Sequence, residues 1–292
     1  MTTMDWKRMA VRETAAALVV VALALAAACG PKSTQPPPGG NQPDKFLHDK
    51  GTEALNDKKW IRAREYFRQL VDNYPQSPLR PDAKLALGDT YLGENSLESL
   101  VLGINEFREF LSFYPTHKRA DYAQYKLGLA HYAQMLGPQR DQTQTKEAVA
   151  EFEVFLERYP DSTLMGEVRK KLREARDRLS QSEYEVGVFY WRTRWYPGAV
   201  DRFREVLKKD PEFTGRDGLY FHLADSLMRM NLAAEAVPYL DRLLKEYERS
   251  EYLERGQKLL AEAKAALPAD AVRKDEKSGE KKKEEKKVEE KK

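Results

Sequence analysis

Between Asp44 and Pro78 small and large apolar residues alternate in the pattern of two packed helices. Gly51, Ala54 and Leu55 fall at helical spacing. After a short polar break, Trp60, Ala63, Phe67 and Leu70 recur at steps of three and four, which gives a second helix one apolar face. Tyr74-Pro75 ends that helix, because proline cannot continue the hydrogen-bond ladder. The small residues Gly51 and Ala63 are expected to let the two backbones approach, with Phe67 filling the wider part of the seam. The same series returns with identical offsets at Gly187, Ala199, Phe203 and Pro211, so the hairpin is a unit that the chain repeats.

The order small, small, aromatic, proline over about 34 residues is the tetratricopeptide pattern. A second unit uses Ala83, Leu87, Gly88 and Tyr91, then Phe107, Phe110 and Leu111 before Tyr114-Pro115. Its longer spacing places the excess in the turn LGENSLESL, Leu92 to Leu100. The third unit has Tyr122, Tyr125, Leu127, Gly128 and Ala130. A polar excursion from Gly137 to Lys146 separates these from Ala148, Phe152, Phe155, Leu156 and Tyr159-Pro160. A charged helix from Leu164 to Leu179, striped by Val168, Leu172, Ala175 and Leu179, runs without a break into the fourth unit. The fifth (Leu223, Ala224, Leu227, Ala236, Leu240, Leu243, Leu244) replaces the closing Tyr-Pro with KEYERS, as a terminal repeat does when one face meets solvent, and a helix near Glu251 to Ala266 caps it. The expected fold is an all-α tetratricopeptide-repeat solenoid of about five helical hairpins plus a capping helix.

The ends read differently. Lys7, Arg8 and Arg12 precede an apolar run, Ala15 to Ala28, that is short for a membrane span and fits an export signal. It leads directly to Cys29, the one cysteine of the chain, where a lipoprotein signal is cleaved and the new terminus acylated. Ala26 stands where leucine is usual, so cleavage near Ala28 as an ordinary exported protein, or retention as an uncleaved anchor, stays open. Several acyl chains would hold the protein at a membrane surface. Gly30 stands where aspartate would favour inner-membrane retention, which points to the outer membrane with the protein facing the periplasm. The expected organisation is a signal peptide (1–28), an acylated cysteine and Pro/Gly-rich tether (29–43), repeats one to three (44–160), a linker helix with repeats four, five and cap (161–267), and a Lys/Glu-rich tail (268–292). The tail is too polar to offset the entropy of ordering and is expected to be disordered.

Charged residues make up 33% of the chain, but the net charge is only +3 and both signs alternate within nearly every helix, which argues against a nucleic-acid surface. His48, His117, His131 and His222 are scattered over different units. None forms a metal-ligand spacing with another, and no nucleophile or phosphate-loop motif occurs, so no enzyme, cofactor or metal is expected. Tyr74, Tyr114 and Tyr159 share one repeat position and read as junction residues. The stretch YWRTRWYPG gathers Arg192, Arg194 and Trp195 at a hairpin turn, a composition that suits either a protein interface or packing on the next repeat.

The chain also resembles a known family. A lipoprotein signal, a tether and five tetratricopeptide-like units carrying NYPQSPLRPDAKLALGDTYL, FLSFYPTHKRADYAQYKLGLAHY and FLERYPDSTLMGEVRKKLREARDRLSQSEYEVGVFYWRTRWYPGAVDRF are similar to the BamD family, the lipoprotein component of the outer-membrane β-barrel assembly machinery. That resemblance, over roughly Asp44 to Lys264, implies a non-enzymatic periplasmic scaffold. It implies an amino-terminal half that recognises unfolded outer-membrane proteins, and a carboxy-terminal half that docks on a periplasmic domain of the barrel-forming subunit, with accessory lipoproteins as further partners. Arg202 matches an arginine used in that docking, with Asp201 beside it. By helix position alone, Tyr66, Tyr91 and Arg108 are candidates for the peptide-binding groove. The alternative is a different tetratricopeptide lipoprotein that scaffolds cell-envelope or secretin assembly.

Overall fold

The computed structural model describes residues 42–267. The signal peptide, Cys29, most of the tether and the Lys/Glu tail lie outside the described residues. Within them the regular elements are eleven α-helices: α1 (Pro43–Asn56), α2 (Trp60–Asn73), α3 (Arg80–Glu94), α4 (Leu97–Phe113), α5 (Ala120–Tyr132), α6 (Thr143–Arg158), α7 (Met165–Arg192), α8 (Tyr196–Lys209), α9 (Arg216–Arg229), α10 (Ala233–Glu246) and α11 (Leu253–Ala265). They form the five expected hairpins and a terminal capping helix, an all-α solenoid. No helix among the described residues is long and apolar enough to cross a membrane. The chain divides at Ala86/Leu87, inside α3, into two compact units.

The first four hairpin seams are built on one kind of contact. In the first unit, a Cβ placed on Gly51 would lie 2.6 Å from Cε1 of the fully buried Phe67. In the second unit Gly88 meets Phe107, Gly128 meets Phe152 and Gly187 meets Phe203, each at 2.5 Å. The glycine therefore receives the phenyl ring, in keeping with the expected filling of the seam by Phe67. The fifth hairpin keeps the register but trades volume, with fully buried Ala224 and Leu240 at the corresponding places. A smaller partner leaves room for the methyl group.

Two sequence expectations about loops need correction. The extra residues of the second repeat do not form a longer turn. Helix α3 continues to Glu94 and α4 begins at Leu97, so only Asn95 and Ser96 join them, and Ser96 and Ser99 close a capping box. Local capping stabilises more helix than the Gly-Glu-Asn-Ser composition implies. In the third repeat, Thr143 to Lys146 already belong to α6. The Gln142 side chain donates to the carbonyls of Gly137 (2.8 Å) and Arg140 (3.0 Å), which folds the preceding loop on itself, and Arg178 of α7 donates to the Leu136 carbonyl at 2.9 Å.

Three of the junctions share a clasp, while after α4 the His117 Nδ1 accepts from the Arg119 N–H in its place. In the first unit the Ser77 hydroxyl donates to Asp44 at 2.6 Å while accepting from the Leu79 N–H. In the second, Ser162 with Asp121 (2.6 Å) and Ser250 with Asp217 (2.7 Å) repeat the geometry, accepting from the N–H groups of Leu164 and Tyr252. The α8–α9 junction reverses the roles. Asp210 stands where the other junctions have tyrosine, and it accepts from Ser180 (2.5 Å) and from both ends of the Arg173 guanidinium, all on α7. Helix α7 is a single run of 28 residues, so the charged linker and the first helix of the fourth repeat are one element.

Candidate protein-binding surfaces

The turn from α7 to α8 carries most of the residues picked out for docking. Its backbone closes with Arg194 N–H bonded to the Trp191 carbonyl (3.1 Å) and Trp195 N–H to the Tyr190 carbonyl (2.9 Å), a Schellman arrangement that needs one residue in the left-handed region. Arg194 supplies it at φ 64°. Lys58 and Asn231 close the first and fifth hairpins in the same way, with φ of 58° and 61°. Glycine or asparagine is the low-cost choice at such a position, so the two basic side chains are held there at some expense.

Trp195 follows as the residue before α8. Its ring sits edge-on to Tyr190, with centroids 4.6 Å apart, and covers Gly198, yet it remains 55% exposed. Trp191 is different. Its Nε1 donates to Asp225 of α9 at 2.7 Å and its ring packs edge-on against His222 at 4.7 Å, so it joins repeats four and five. Of the two readings of YWRTRWYPG, packing describes Trp191, and an aromatic left open to solvent beside arginines describes Trp195.

Arg192 is exposed at the end of α7 and lines a groove of about 800 Å³ together with Phe189, Arg140 and, at its floor, His222 and Tyr252. Phe189 is 60% exposed. Burial holds the His222 imidazole below its ordinary pKa, and its Nδ1 lies 2.7 Å from the Gly218 carbonyl, so it is a neutral packing residue. Arg202 lies half-exposed on α8, paired to Glu183 of α7 at 3.3 Å and to Glu205 at 3.6 Å, with Asp201 exposed beside it.

The groove candidates fall in different surroundings. Tyr66, in the first unit, is 4% exposed, with its hydroxyl 3.5 Å from Arg62 Nη2. Tyr91, in the second, is equally buried, and its Cβ limits the space at Gly103. Arg108 presents its head group half-exposed, 3.4 Å from His131 Nε2 and 3.6 Å from Glu151 Oε1. Of the three, it alone has a polar group available to a ligand. This polar cluster was invisible in the sequence because its members come from α4, α5 and α6; a charged residue facing a buried histidine across two helices has no linear spacing.

Paired helices and glycine–phenylalanine seams define a tetratricopeptide-type scaffold. A tetratricopeptide-repeat family matches residues 219–250, and the family described as outer membrane lipoprotein (YfiO) matches residues 41–224. The chain belongs to this outer-membrane lipoprotein family. Similar relatives include outer membrane protein assembly factor BamD of Caulobacter vibrioides, 26% identical with 75% of this chain and 71% of the relative covered. The same factor of Vibrio cholerae is 27% identical, over 66% of this chain and 82% of the relative, and that of Rickettsia prowazekii is 26% identical, over 81% and 92%. As a family member the chain is an outer-membrane lipoprotein facing the periplasm, and a scaffold related to BamD-type assembly factors, not an enzyme.

Proposed function

We propose that this protein is a scaffold of the outer-membrane β-barrel assembly machinery. Residues 161–267 dock on a periplasmic domain of the barrel-forming subunit through Arg202, Asp201, Arg192, Arg194 and Trp195. Residues 44–160 receive unfolded outer-membrane proteins, with Arg108 offering the polar contact and Tyr66 and Tyr91 supporting the helices from within. Cys29, once acylated, holds the array at outer-membrane lipid, and accessory lipoproteins are further partners. The observation that carries the docking half is the α7–α8 turn, where an arginine occupies a left-handed position and a tryptophan stays 55% exposed beside it. Arginine and tryptophan are the residues that dominate binding energy when an interface buries them.

Charge reversal at Arg202 tests the reading. Arg202→Glu would set three acids together with Glu183 and Glu205, and affinity capture from membranes should then lose the barrel-forming subunit while the helical circular-dichroism spectrum is retained. Undiminished capture removes Arg202 from docking. Recovery of secretin or division-site proteins in place of a barrel subunit would favour the alternative scaffold.

A further inference from the structure

His131 of α5 is 4% exposed. Its Nδ1 lies 2.8 Å from Gln144 Oε1, and since a carbonyl oxygen only accepts, Nδ1 carries the proton and Nε2 presents a lone pair. Beside it on α6 are Glu147 and Glu151, one turn apart, and one ligand atom from each of the three residues lies within 4.8 Å of the others. Glu151 is oriented as firmly as the histidine: Gln124, 2% exposed, donates to its Oε2 at 2.7 Å, which leaves Oε1 beside Arg108 at 3.6 Å. Glu147 is exposed and makes no ion pair among the described residues.

We infer that His131, Glu147 and Glu151 form a divalent-cation site, best suited to zinc. An imidazole with its second nitrogen fixed by an amide oxygen, and a carboxylate with its second oxygen fixed by an amide N–H, are the supports that orient metal ligands. One nitrogen and two carboxylate donors leave the fourth tetrahedral position to water. Ligand distances of about 2.0–2.2 Å require the three donors to draw in, and the exposed Glu147 side chain is free to do so. Arg108 now supplies the positive charge, but its contacts of 3.4 and 3.6 Å exceed the ~2.7–2.9 Å of a tight charge-assisted bond, and its half-exposed side chain can swing out. Zinc would exchange one cation for another, tie α5 to α6, and release the Arg108 guanidinium to solvent.

The test is calorimetric titration of the full chain with zinc, with cobalt(II) absorption reporting the ligand field, in a Cys29→Ser background so that the thiol takes no metal. One equivalent should bind. Glu147→Gln and His131→Asn should each weaken binding by more than about tenfold, and Arg108→Gln should tighten it by removing the competing cation. If His131→Asn does not fold, the exposed Glu147→Gln decides alone. Zinc uptake by Glu147→Gln equal to that of the parent, or no uptake by either the parent or Arg108→Gln, overturns the site.

Discussion

Asp210 shows how one residue carries a junction. Burial opposes its ionisation, but Arg173 and Ser180 outweigh that cost and hold the carboxyl below the usual carboxylate range. Its contribution to stability is therefore fully present above the unfolded-chain value of about 3.9 and is lost as pH falls through the folded value. Asp210→Asn removes one partner of the partly exposed Arg173, which keeps Asp177 at 3.1 Å, and should cost about 2 kcal/mol at neutral pH in denaturant unfolding, with little difference from the parent under strongly acidic conditions. A difference that persists undiminished at acid pH would point to packing in place of charge. The seam glycines give a second expectation. Gly187→Ala forces a methyl group against Phe203, with no space to yield, and should destabilise by about 1–3 kcal/mol. Adding Phe203→Leu should recover part of that loss, because Ala224 and Leu240 already pack in that combination, and a double-mutant cycle reads the coupling.

Turns are the elements in which folding and recognition compete. Arg194→Gly removes a left-handed arginine and should raise the stability of the α7–α8 hairpin by about 1 kcal/mol, while lowering capture of the barrel-forming subunit. A gain in melting temperature with unchanged capture would make Arg194 a tolerated defect and nothing more. The helices themselves were legible in the sequence. Gly51, Phe67 and Pro75 reappear as Gly187, Phe203 and Pro211 because a solenoid must build the same seam each time. The left-handed turns at Lys58 and Arg194 were not legible, since glycine or asparagine signals such backbone, whereas Asn95 and Asn231 carried that signal and were not read. The clasps escaped for another reason: Ser162 and Asp121 are 41 positions apart, and only the packing of α5 beside the α6–α7 junction brings them together. Among the candidate site residues, exposure separated what composition had grouped. Trp195 and Arg192 reach solvent, whereas Tyr66 and Tyr91 are enclosed by neighbours that helix position alone does not reveal.

At the scale of the molecule, stability is expected to be uneven, because in repeat arrays each hairpin depends on its immediate neighbours. Helix α9 is buried continuously from Gly218 to Leu227 and packs on α7, α8, α10 and α11. Its amides should be the slowest to exchange with deuterium, ahead of those of α1, where only Leu47, Gly51 and Ala54 are buried. Equal protection of the two helices would show that the chain opens as one cooperative body. The 28 residues of α7 have a further consequence. At 1.5 Å per residue they make a rod of about 42 Å that packs on α6 near one end and on α8 near the other, with no turn between to absorb displacement. A partner docked at the α7–α8 turn, as proposed above, would deliver its load through this rod to the third hairpin.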